Sequence, residues 1–424
     1  MSKHPHQPGS GHAGGRAGPR DPFPRQANPS WMGRVEPEYY RPAPGTNAAA
    51  LPPLGPLPAS LAGRMAVRRS TGLLALTVGG AALVFLSLFL VVPFLLANTG
   101  VGGFMVGFVL SLIPLSAVLL AVYLIDRWEP EPKRLLLFAF TWGAAVSIAV
   151  TLLIQPFFAL TFQFSDVADF RTFMATVQAP VVEEFAKSLG LLLILLLARK
   201  HFDGPVDGVV FAFTIAGGFA FTENILYFGR AIAESANPGT DLAQVFLLRG
   251  VMSPFAHAIF TGTTGLIMGF ASRRWHSGAS VLAFVIGLIP AMLLHNRWNS
   301  MAAEFLAEYI LIQVPIFVLA VVGIILLRVA ENRLTRQRLM EYSAAGWFSP
   351  AEVELLATPR GRRTALQWAA GYNRRPEMKA FLHSATRLAF TRQRILSGRD
   401  VRLHQLEEQQ QLQRILALRG AVAG

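Results

Sequence analysis

Six polar side chains lie in or at the end of long apolar stretches of this sequence. They are Glu183, Glu184, Glu223, His257, His295 and Asn299. An ionisable group in the hydrocarbon of a bilayer is costly, so each one suggests a functional site. A carboxylate can take a proton from water, a histidine can hold that water or a metal ion, and polar donors can stabilise an oxyanion. Together these residue types predict a hydrolase.

The spacing of these residues suggests their roles. Glu183 and Glu184 are adjacent, so on a helix their side chains diverge by about 100°. Lys187 lies one turn after Glu183 and is predicted to pair with it. A paired carboxylate is the poorer base, so either glutamate is a candidate general base and Glu184 is favoured. His295 and Asn299 lie four residues apart on one helical face, where both can aim donors at an oxyanion.

Each of these residues also has a simpler structural explanation. Glu183 and Lys187 can form a packed salt bridge, and Glu223 can be a protonated acid bonded to a neighbouring helix. A single histidine in a membrane helix is more often a packing contact than a ligand. However, His257 and His295 are the two histidines, out of nine, that fall in apolar stretches. Two histidines together with three glutamates favour a site.

The composition is that of a protein with many membrane-spanning helices. Of 424 residues, 53% are hydrophobic and 15% are charged, and the mean hydropathy is +0.43. A soluble domain carries about 25% charged residues. The chain contains no cysteine, which excludes disulfides, iron–sulfur clusters, thiol catalysis and cysteine-ligated zinc.

Eight apolar stretches are long enough to cross a bilayer, which takes about 20 residues in a helix. The predicted fold is therefore all-α, a polytopic membrane helical bundle of about eight transmembrane helices. The predicted spans are approximately 72–97, 101–125, 134–160, 171–198, 205–229, 247–271, 279–300 and 304–328. The six polar residues fall on spans four to seven. Counted along each helix, they lie in the outer half or near the midplane of the bilayer, as a shared site requires.

Basic residues occur at both ends of the chain and in alternate loops, which explains the net charge of +13. The basic loops lie around Arg127, Arg199 and Arg273. Because loops rich in Lys and Arg stay on the cytoplasmic side, both termini are predicted to be cytoplasmic, in a multi-pass protein of the plasma membrane. The same rule explains the basic composition without nucleic acid as a partner.

The chain is predicted to have three regions. Residues 1–69, rich in Pro, Gly, Ala and Arg, form a disordered cytoplasmic tail. Residues 70–330 form the membrane domain, and residues 331–424 form a small helical cytoplasmic region. In that last region Ser349, followed by Pro350 and Glu352, is typical of a capped helix start.

These polar blocks, each on its own span and in this order, resemble the PrsW family of intramembrane proteases. The similar segment runs from Asp126 to Asn299, close to half of the chain. It includes Asp126-Arg127-Trp128-Glu129-Pro130-Glu131-Pro132, Glu183-Glu184 with Lys187, Asp207-Gly208, Phe219 to Asn224, His257, and His295 with Trp298-Asn299.

The resemblance implies that residues 70–330 form a helical protease domain that cleaves membrane-anchored proteins. Such substrates are often regulatory proteins, for example anti-sigma factors, and the lipid bilayer is the second partner. The family is related to the CAAX prenyl proteases, whose Phe-x-x-x-His motif appears here as Phe219 followed by Glu223. His257 is therefore the candidate to replace that histidine in space.

The resemblance leaves two mechanisms open. In one, a glutamate activates water without a catalytic metal. In the other, zinc is bound by Glu223, His257 and His295, because one Glu with two His is a known zinc ligand set. Zinc is the single cofactor that this sequence suggests.

Two functions other than proteolysis also remain open. In a proton- or cation-coupled transporter, the same carboxylates and histidines would form a relay, although no pair of broken helices in matching halves supports this. In a non-catalytic membrane scaffold they would bind a substrate without cutting it. Replacing Glu183 and Glu184 by glutamine, in an assay with a tethered substrate, distinguishes the three functions.

Overall fold

The computed structural model describes residues 59–127, 130–162, 164–274, 277–301, 305–398 and 401–423. In these ranges the chain forms helices and no β-strand, which confirms the predicted all-α class. The helices are α1 (Ala59–Asp126), α2 (Lys133–Thr141), α3 (Ile148–Thr161), α4 (Val167–Phe173), α5 (Ala179–Leu197), α6 (Pro205–Ala233), α7 (Pro238–Phe246), α8 (Ala256–Arg274), α9 (Ser277–Asn299), α10 (Phe305–Glu308), α11 (Val314–Ala344), α12 (Pro350–Ala357), α13 (Pro359–Gly371), α14 (Arg375–Leu396) and α15 (Val401–Ala423).

Six helical segments of the described residues are long and apolar enough to cross a membrane. They are Leu76–Asp126, Lys133–Thr161, Pro205–Ala233, Pro238–Arg273, Ala279–Asn299 and Leu306–Ala344. Each of them overlaps one or more of the spans predicted from the sequence. This pattern is that of a multi-pass membrane protein.

The first of these segments contains the first two predicted spans. It is 51 residues long, more than twice the length of about 20 residues that one crossing needs. The helix is broken at Gly100, where φ is +63°, a left-handed value that glycine adopts without a Cβ clash. Beyond the break α1 runs back along α6, with Gly103 against Gly229 and Val118 against Gly217.

Part of the predicted tail, residues 1–69, lies outside the described residues. The described chain begins at Ala59, and α1 is helical from that residue onward. The helix therefore starts before the boundary predicted near residue 70. The prediction of a disordered tail for residues 1–58 stays a prediction.

The fourth predicted span is one continuous helical segment made of α4, a π-helical stretch and α5. The π-helical stretch, Met174–Gln178, inserts an extra residue and rotates the helix that follows it. Three charged residues of α5, Glu183, Glu184 and Lys187, are buried in the bundle. With these three charged residues, α5 is more highly charged than the apolar part of each of the six membrane-length segments, which carries at most two charged residues.

Helix α6 lies in the middle of the bundle because glycines let its neighbours reach its backbone. A Cβ on Gly218 would lie 2.1 Å from the carbonyl oxygen of Phe140 on α2, and a Cβ on Gly208 would lie 2.0 Å from that of Gly265 on α8. Small residues at such crossings are typical of helix packing in membranes. These close approaches set the position of Glu223, which follows Gly218 by just over one turn.

The C-terminal helices have a hydrophobic core of their own. Helices α12 to α15 pack with the end of α11 around buried residues that include Leu339, Tyr342, Phe348, Val353, Leu382, Leu388 and Ile415. The predicted start of α12 is confirmed. The Ser349 hydroxyl accepts a hydrogen bond from the Glu352 amide (3.1 Å), and the Glu352 carboxylate accepts one from the Ser349 amide (2.8 Å).

Candidate active site

Four helices bring the predicted carboxylates and histidines into one cluster. Glu183 and Glu184 lie on α5, Glu223 on α6, His257 at the start of α8 and His295 near the end of α9. Four of the five are buried, and the Glu223 side chain is 16% exposed. We call these five residues, together with Lys187 and Arg249, the carboxylate–histidine cluster.

Glu184 is the most constrained carboxylate of the cluster. Its Oε1 accepts hydrogen bonds from Lys187 Nζ (2.5 Å) and His295 Nδ1 (3.0 Å), and its Oε2 accepts one from Thr261 Oγ1 (2.8 Å). The three donors come from α5, α9 and α8, so Glu184 ties these helices together. Both of its oxygens are occupied and its side chain is fully buried.

Lys187 pairs with Glu183, as predicted, but it lies closer to Glu184, which was not predicted. Lys187 Nζ lies 2.5 Å from Glu184 Oε1 and 3.9 Å from Glu183 Oε2. On a helix both spacings, three and four residues, bring side chains together. Here hydrogen bonds from His295 and Thr261 hold the Glu184 carboxylate in the interior of the bundle. The Lys187 ammonium group contacts that carboxylate. Because Lys187 pairs more closely with Glu184, Glu184 is the poorer candidate for the general base and Glu183 is the better one.

Glu183 has a different environment from its neighbour. Its Oε2 is buried and has no hydrogen-bond partner among the described residues, although Lys187 Nζ and His295 Nε2 each lie 3.9 Å away. A buried polar atom without a partner costs free energy and calls for an explanation. Its side chain is 10% exposed, against 0% for Glu184. Glu183 thus keeps an oxygen that a reacting molecule can bind.

Glu223 is held by an arginine that was not among the predicted site residues. Arg249 lies in a π-helical stretch, Leu247–Met252, just before α8. Its Nη2 donates to Glu223 Oε2 (2.5 Å), its Nε donates to Asn224 Oδ1 (2.9 Å), and its guanidinium lies 3.8 Å from the ring centre of Tyr227. The signal in the sequence was an arginine inside an apolar predicted span, which needs an anion there.

The contacts of the two histidines define their hydrogen-bonding roles. His257 Nε2 lies 2.8 Å from Glu223 Oε2, and its Nδ1 lies 3.2 Å from Lys187 Nζ. Because an ammonium group can only donate, Nδ1 accepts from Lys187 and Nε2 donates to Glu223. His295 donates through Nδ1 to Glu184, which leaves its Nε2 facing Glu183.

The cluster is a continuous chain of polar contacts enclosed by aromatic rings. The order of contacts is Arg249, Glu223, His257, Lys187, Glu184 and His295. Lys187 Nζ lies 4.2 Å from the ring centre of Phe219, and Phe260 stacks on His295 at 5.1 Å. In such an enclosed site electrostatic interactions are stronger than in water. The arrangement is suited to holding a proton and stabilising a developing charge.

Asn299, the sixth predicted site residue, has a packing contact. Its Nδ2 donates to the carbonyl oxygen of Ala175 (2.8 Å), and Asn296 Nδ2 donates to that of Thr176 (2.5 Å). Both amides fasten the end of α9 to the π-helical stretch before α5. The oxyanion role of Asn299 stays a prediction.

The donor atoms for a metal ion are present, but they share their space with Lys187. One ligand atom from each of Glu183, His257 and His295 lies within 4.8 Å of the others. The predicted set had Glu223 in place of Glu183, and Glu223 here bonds Arg249 and His257. Because the Lys187 ammonium already contacts His257 and lies near Glu183, a cation among these donors would meet a positive charge. In this arrangement the residues do not fit a metal ion.

Comparison with known proteins identifies a family that this part of the chain resembles. Residues 131–327 match the model of the PrsW family intramembrane metalloprotease, and they include all six predicted site residues. This match supports a peptidase that acts in the membrane. The term metalloprotease applies to the family and does not show that this chain binds a metal ion. No solved structure matches the chain.

Curated relatives agree with this match. The chain is 28% identical over 213 residues to a protein named Protease PrsW from Oceanobacillus iheyensis, which covers 49% of this chain and 88% of the relative. It is 29% identical over 242 residues to Protease PrsW from Clostridioides difficile, covering 57% and 94%. It is 26% identical over 211 residues to Protease PrsW from Bacillus subtilis, and the alignment covers 49% of this chain and 87% of the relative. Over residues 131–327 this chain therefore resembles the PrsW family of intramembrane proteases, and its membrane-length helices fit that resemblance.

Proposed function

We propose that this protease hydrolyses peptide bonds in membrane-anchored proteins with water activated at Glu183. The observation that carries the proposal is Glu183 Oε2, which is buried, lacks a hydrogen-bond partner among the described residues and lies 3.9 Å from His295 Nε2. A water molecule bound by these two groups can give its proton to the carboxylate.

The reaction needs one base and one site of charge stabilisation. Glu183 takes a proton from water as the water oxygen adds to the scissile carbonyl carbon. The same carboxyl group then gives the proton to the leaving amine as the C–N bond breaks. Lys187 Nζ, 3.9 Å from Glu183 Oε2, lies where it can stabilise the negative charge on the tetrahedral oxygen.

The remaining members of the cluster act by holding these groups in place. Glu184 orients His295 and Lys187 through its hydrogen bonds. Glu223, held by Arg249, orients His257, which in turn accepts from Lys187. Such support keeps reacting groups within the narrow range of positions that catalysis requires.

The substrate class follows from where the cluster lies. Its residues are on helices of the membrane bundle, so a chain that reaches them is itself inserted in or anchored to the bilayer. Regulatory proteins of the anti-sigma type, which the family resemblance implies, are the substrates we propose. A proton or cation relay is the weaker alternative, because the family match is to peptidases.

We further propose eight spans with both termini in the cytoplasm of a plasma-membrane protein. Three observations support the count. Six segments are long and apolar enough, α1 is broken at Gly100, and the segment from α4 to α5 has span length but carries the charged cluster residues. The resulting regions are the tail 1–69, the protease domain 70–330 and the helical cytoplasmic region 331–424.

The proposed function is tested with the full-length protein in its native membrane, where every anchored protein is a candidate substrate. Wild type and Glu183→Gln are expressed at equal levels, and new peptide termini in the membrane fraction are mapped by mass spectrometry. The expected result is a set of termini in or next to membrane spans that disappears in the variant. The same termini at equal abundance in both samples would refute the role of Glu183.

A further inference from the structure

We infer that Lys187 is the resident cation of the carboxylate–histidine cluster and excludes a metal ion from it. The family description contains the word metalloprotease, and Glu183, His257 and His295 are chemically a metal ligand set. In this chain, however, the centre of that set is shared with a lysine ammonium group. The role in catalysis rests on the proposed function, whereas the exclusion of metal does not.

The first observation is the number of contacts that Lys187 makes with the donor set. Its Nζ contacts Glu184 Oε1 at 2.5 Å and His257 Nδ1 at 3.2 Å, and it lies 3.9 Å from Glu183 Oε2. The side chain is fully buried, and the ring of Phe219 lies 4.2 Å from Nζ. These contacts replace the hydration that the buried ammonium group has lost, so they hold Lys187 Nζ among the donor atoms.

The second observation concerns the lone pairs of the two imidazoles. A metal ion binds a histidine nitrogen that carries no proton, at about 2 Å. In His257 that nitrogen is Nδ1, since Nε2 donates to Glu223, and Nδ1 already accepts from Lys187. A metal ion and the Lys187 ammonium therefore compete for the same lone pair and for the same carboxylates.

The third observation is the balance of charge. The cluster holds three carboxylates, Glu183, Glu184 and Glu223, and two fixed cations, Lys187 and Arg249. The surplus is one negative charge, which a single proton neutralises. A divalent ion added to both cations would instead leave a surplus of positive charge in a buried site, which is unfavourable. The same ion would balance the charge if Lys187 were absent.

The experiment measures the metal content of full-length protein purified in detergent, with any polyhistidine tag removed. Wild type, Lys187→Met and Lys187→Met/His295→Ala are dialysed against micromolar zinc and then against buffer, and zinc per chain is measured. The double variant corrects for zinc held elsewhere, for example by His4, His6 and His12. Lys379→Met, an exposed lysine of α14, is the control for loss of a lysine.

The expected result is that zinc in wild type does not exceed zinc in the double variant. Lys187→Met should hold one further zinc ion per chain, with an affinity at least about 100-fold above that of wild type, because an adjacent positive charge has been removed. Zinc should also raise the unfolding temperature of Lys187→Met alone. If Lys187→Met does not accumulate in membranes, Lys187→Gln, which keeps a donor for Glu184, takes its place.

Two outcomes would overturn the inference. One is a wild-type zinc content that exceeds that of the double variant by one ion per chain, since the metal would then bind in spite of Lys187. The other is a folded Lys187 variant that still binds no zinc, since Lys187 would then not be the group that excludes it. Neither measurement uses a substrate, so a failure here is distinct from a failure of the proposed function.

Discussion

Glu183 and Glu184 are neighbours in the chain, yet hydrogen bonding gives them opposite properties. Glu184 accepts from three side chains, Lys187, His295 and Thr261, whereas Glu183 keeps a buried oxygen without a partner among the described residues. A carboxylate whose two oxygens both accept hydrogen bonds is a poorer base than one with an oxygen left free. We therefore propose that Glu183 activates water and that Glu184 holds the surrounding side chains in place.

The amide variants of the two glutamates should therefore fail in different ways. Glu183→Gln should lower cleavage by about 10²-fold or more, the scale of general base loss, with little change in unfolding temperature. Glu184→Gln should also lose cleavage, but it leaves the Lys187 charge without its partner and should destabilise the protein by about 3–5 kcal/mol. Thermal unfolding in detergent, followed beside a cleavage assay, measures both. Equal stability of the two variants would contradict this division of roles.

Arg249 should contribute to the order of the site through Glu223. Arg249→Gln removes a charged hydrogen bond to a mostly buried carboxylate, so we expect a loss of about 2–3 kcal/mol in the free energy of unfolding. Arg249→Lys keeps the charge but not the second bond to Asn224, and it should restore part of that stability. Arg171→Gln, at an exposed arginine of α4, is the control and should change stability by less than about 1 kcal/mol.

At the scale of elements, the sequence predicts the helices better than the contacts between them. Long apolar runs place each span, and basic residues mark their ends, because these signals depend on the chain's own composition. The closer pairing of Lys187 with Glu184 was not predicted because it depends on His295 and Thr261, which come from other helices. Arg249 was missed for the same reason, since its partner Glu223 lies 26 residues earlier on another helix.

The break at Gly100 and the π-helical stretches were not predicted either. A π-helical turn is an insertion in the hydrogen-bond pattern and leaves no periodic trace in composition. Two of these stretches, Met174–Gln178 and Leu247–Met252, lie next to the cluster residues of α5 and α8. They set how those helices face each other. The existence of the cluster was predictable from residue types, whereas its internal hydrogen bonding was not.

The close contact of α6 with α2 gives a prediction at this scale. Gly218→Ala places a methyl group 2.1 Å from the carbonyl oxygen of Phe140, so α6 must move away and carry Glu223 with it. We expect cleavage to fall at least about 10-fold, because misplacement of site groups by an ångström costs up to 10²-fold. Gly217→Ala is the matched control, since its methyl group meets side chains and no backbone atom, Val118 at 3.1 Å and Leu115 at 3.8 Å. Equal activity of the two variants would show that this helix contact does not position the site.

At the scale of the whole molecule, the C-terminal helices contact the membrane bundle at the start of α6. Arg394 on α14 lies 2.5 Å from Asp203, and Arg273 at the end of α8 lies 4.0 Å from Glu331 on α11. If both termini are cytoplasmic, as proposed, these ion pairs lie on the cytoplasmic face. The active site lies further along the same helices.

This orientation is testable because the chain has no native cysteine. Single cysteines at Ala236, between α6 and α7, and at Ser277, at the start of α9, should react with an impermeant thiol reagent from opposite sides of the membrane. Ala236→Cys should label in intact cells, and Ser277→Cys should label only after the membrane is opened. Labelling of both cysteines from one side would contradict the proposed topology. It would not bear on the cleavage assay, which tests the proposed activity separately.

The stability of the C-terminal helices should depend on pH through His383 on α14. Burial, followed by the positive charges of Arg387 and Arg414, lowers the pKa of this imidazole to about 4. An unfolded chain has a histidine pKa of about 6.5, so between these values the unfolded state binds the proton and the folded state does not. Stability should therefore fall as the pH drops through about 6.5 towards 4 and level off below that. Because the ring is only partly buried, we expect the free energy of unfolding to fall by on the order of 1 kcal/mol. Hydrogen exchange in α14, corrected for the intrinsic exchange rate, should therefore be faster at about pH 5 than at about pH 7. His383→Gln should remove this part of the pH dependence, and an unchanged pH profile in that variant would assign it to another group.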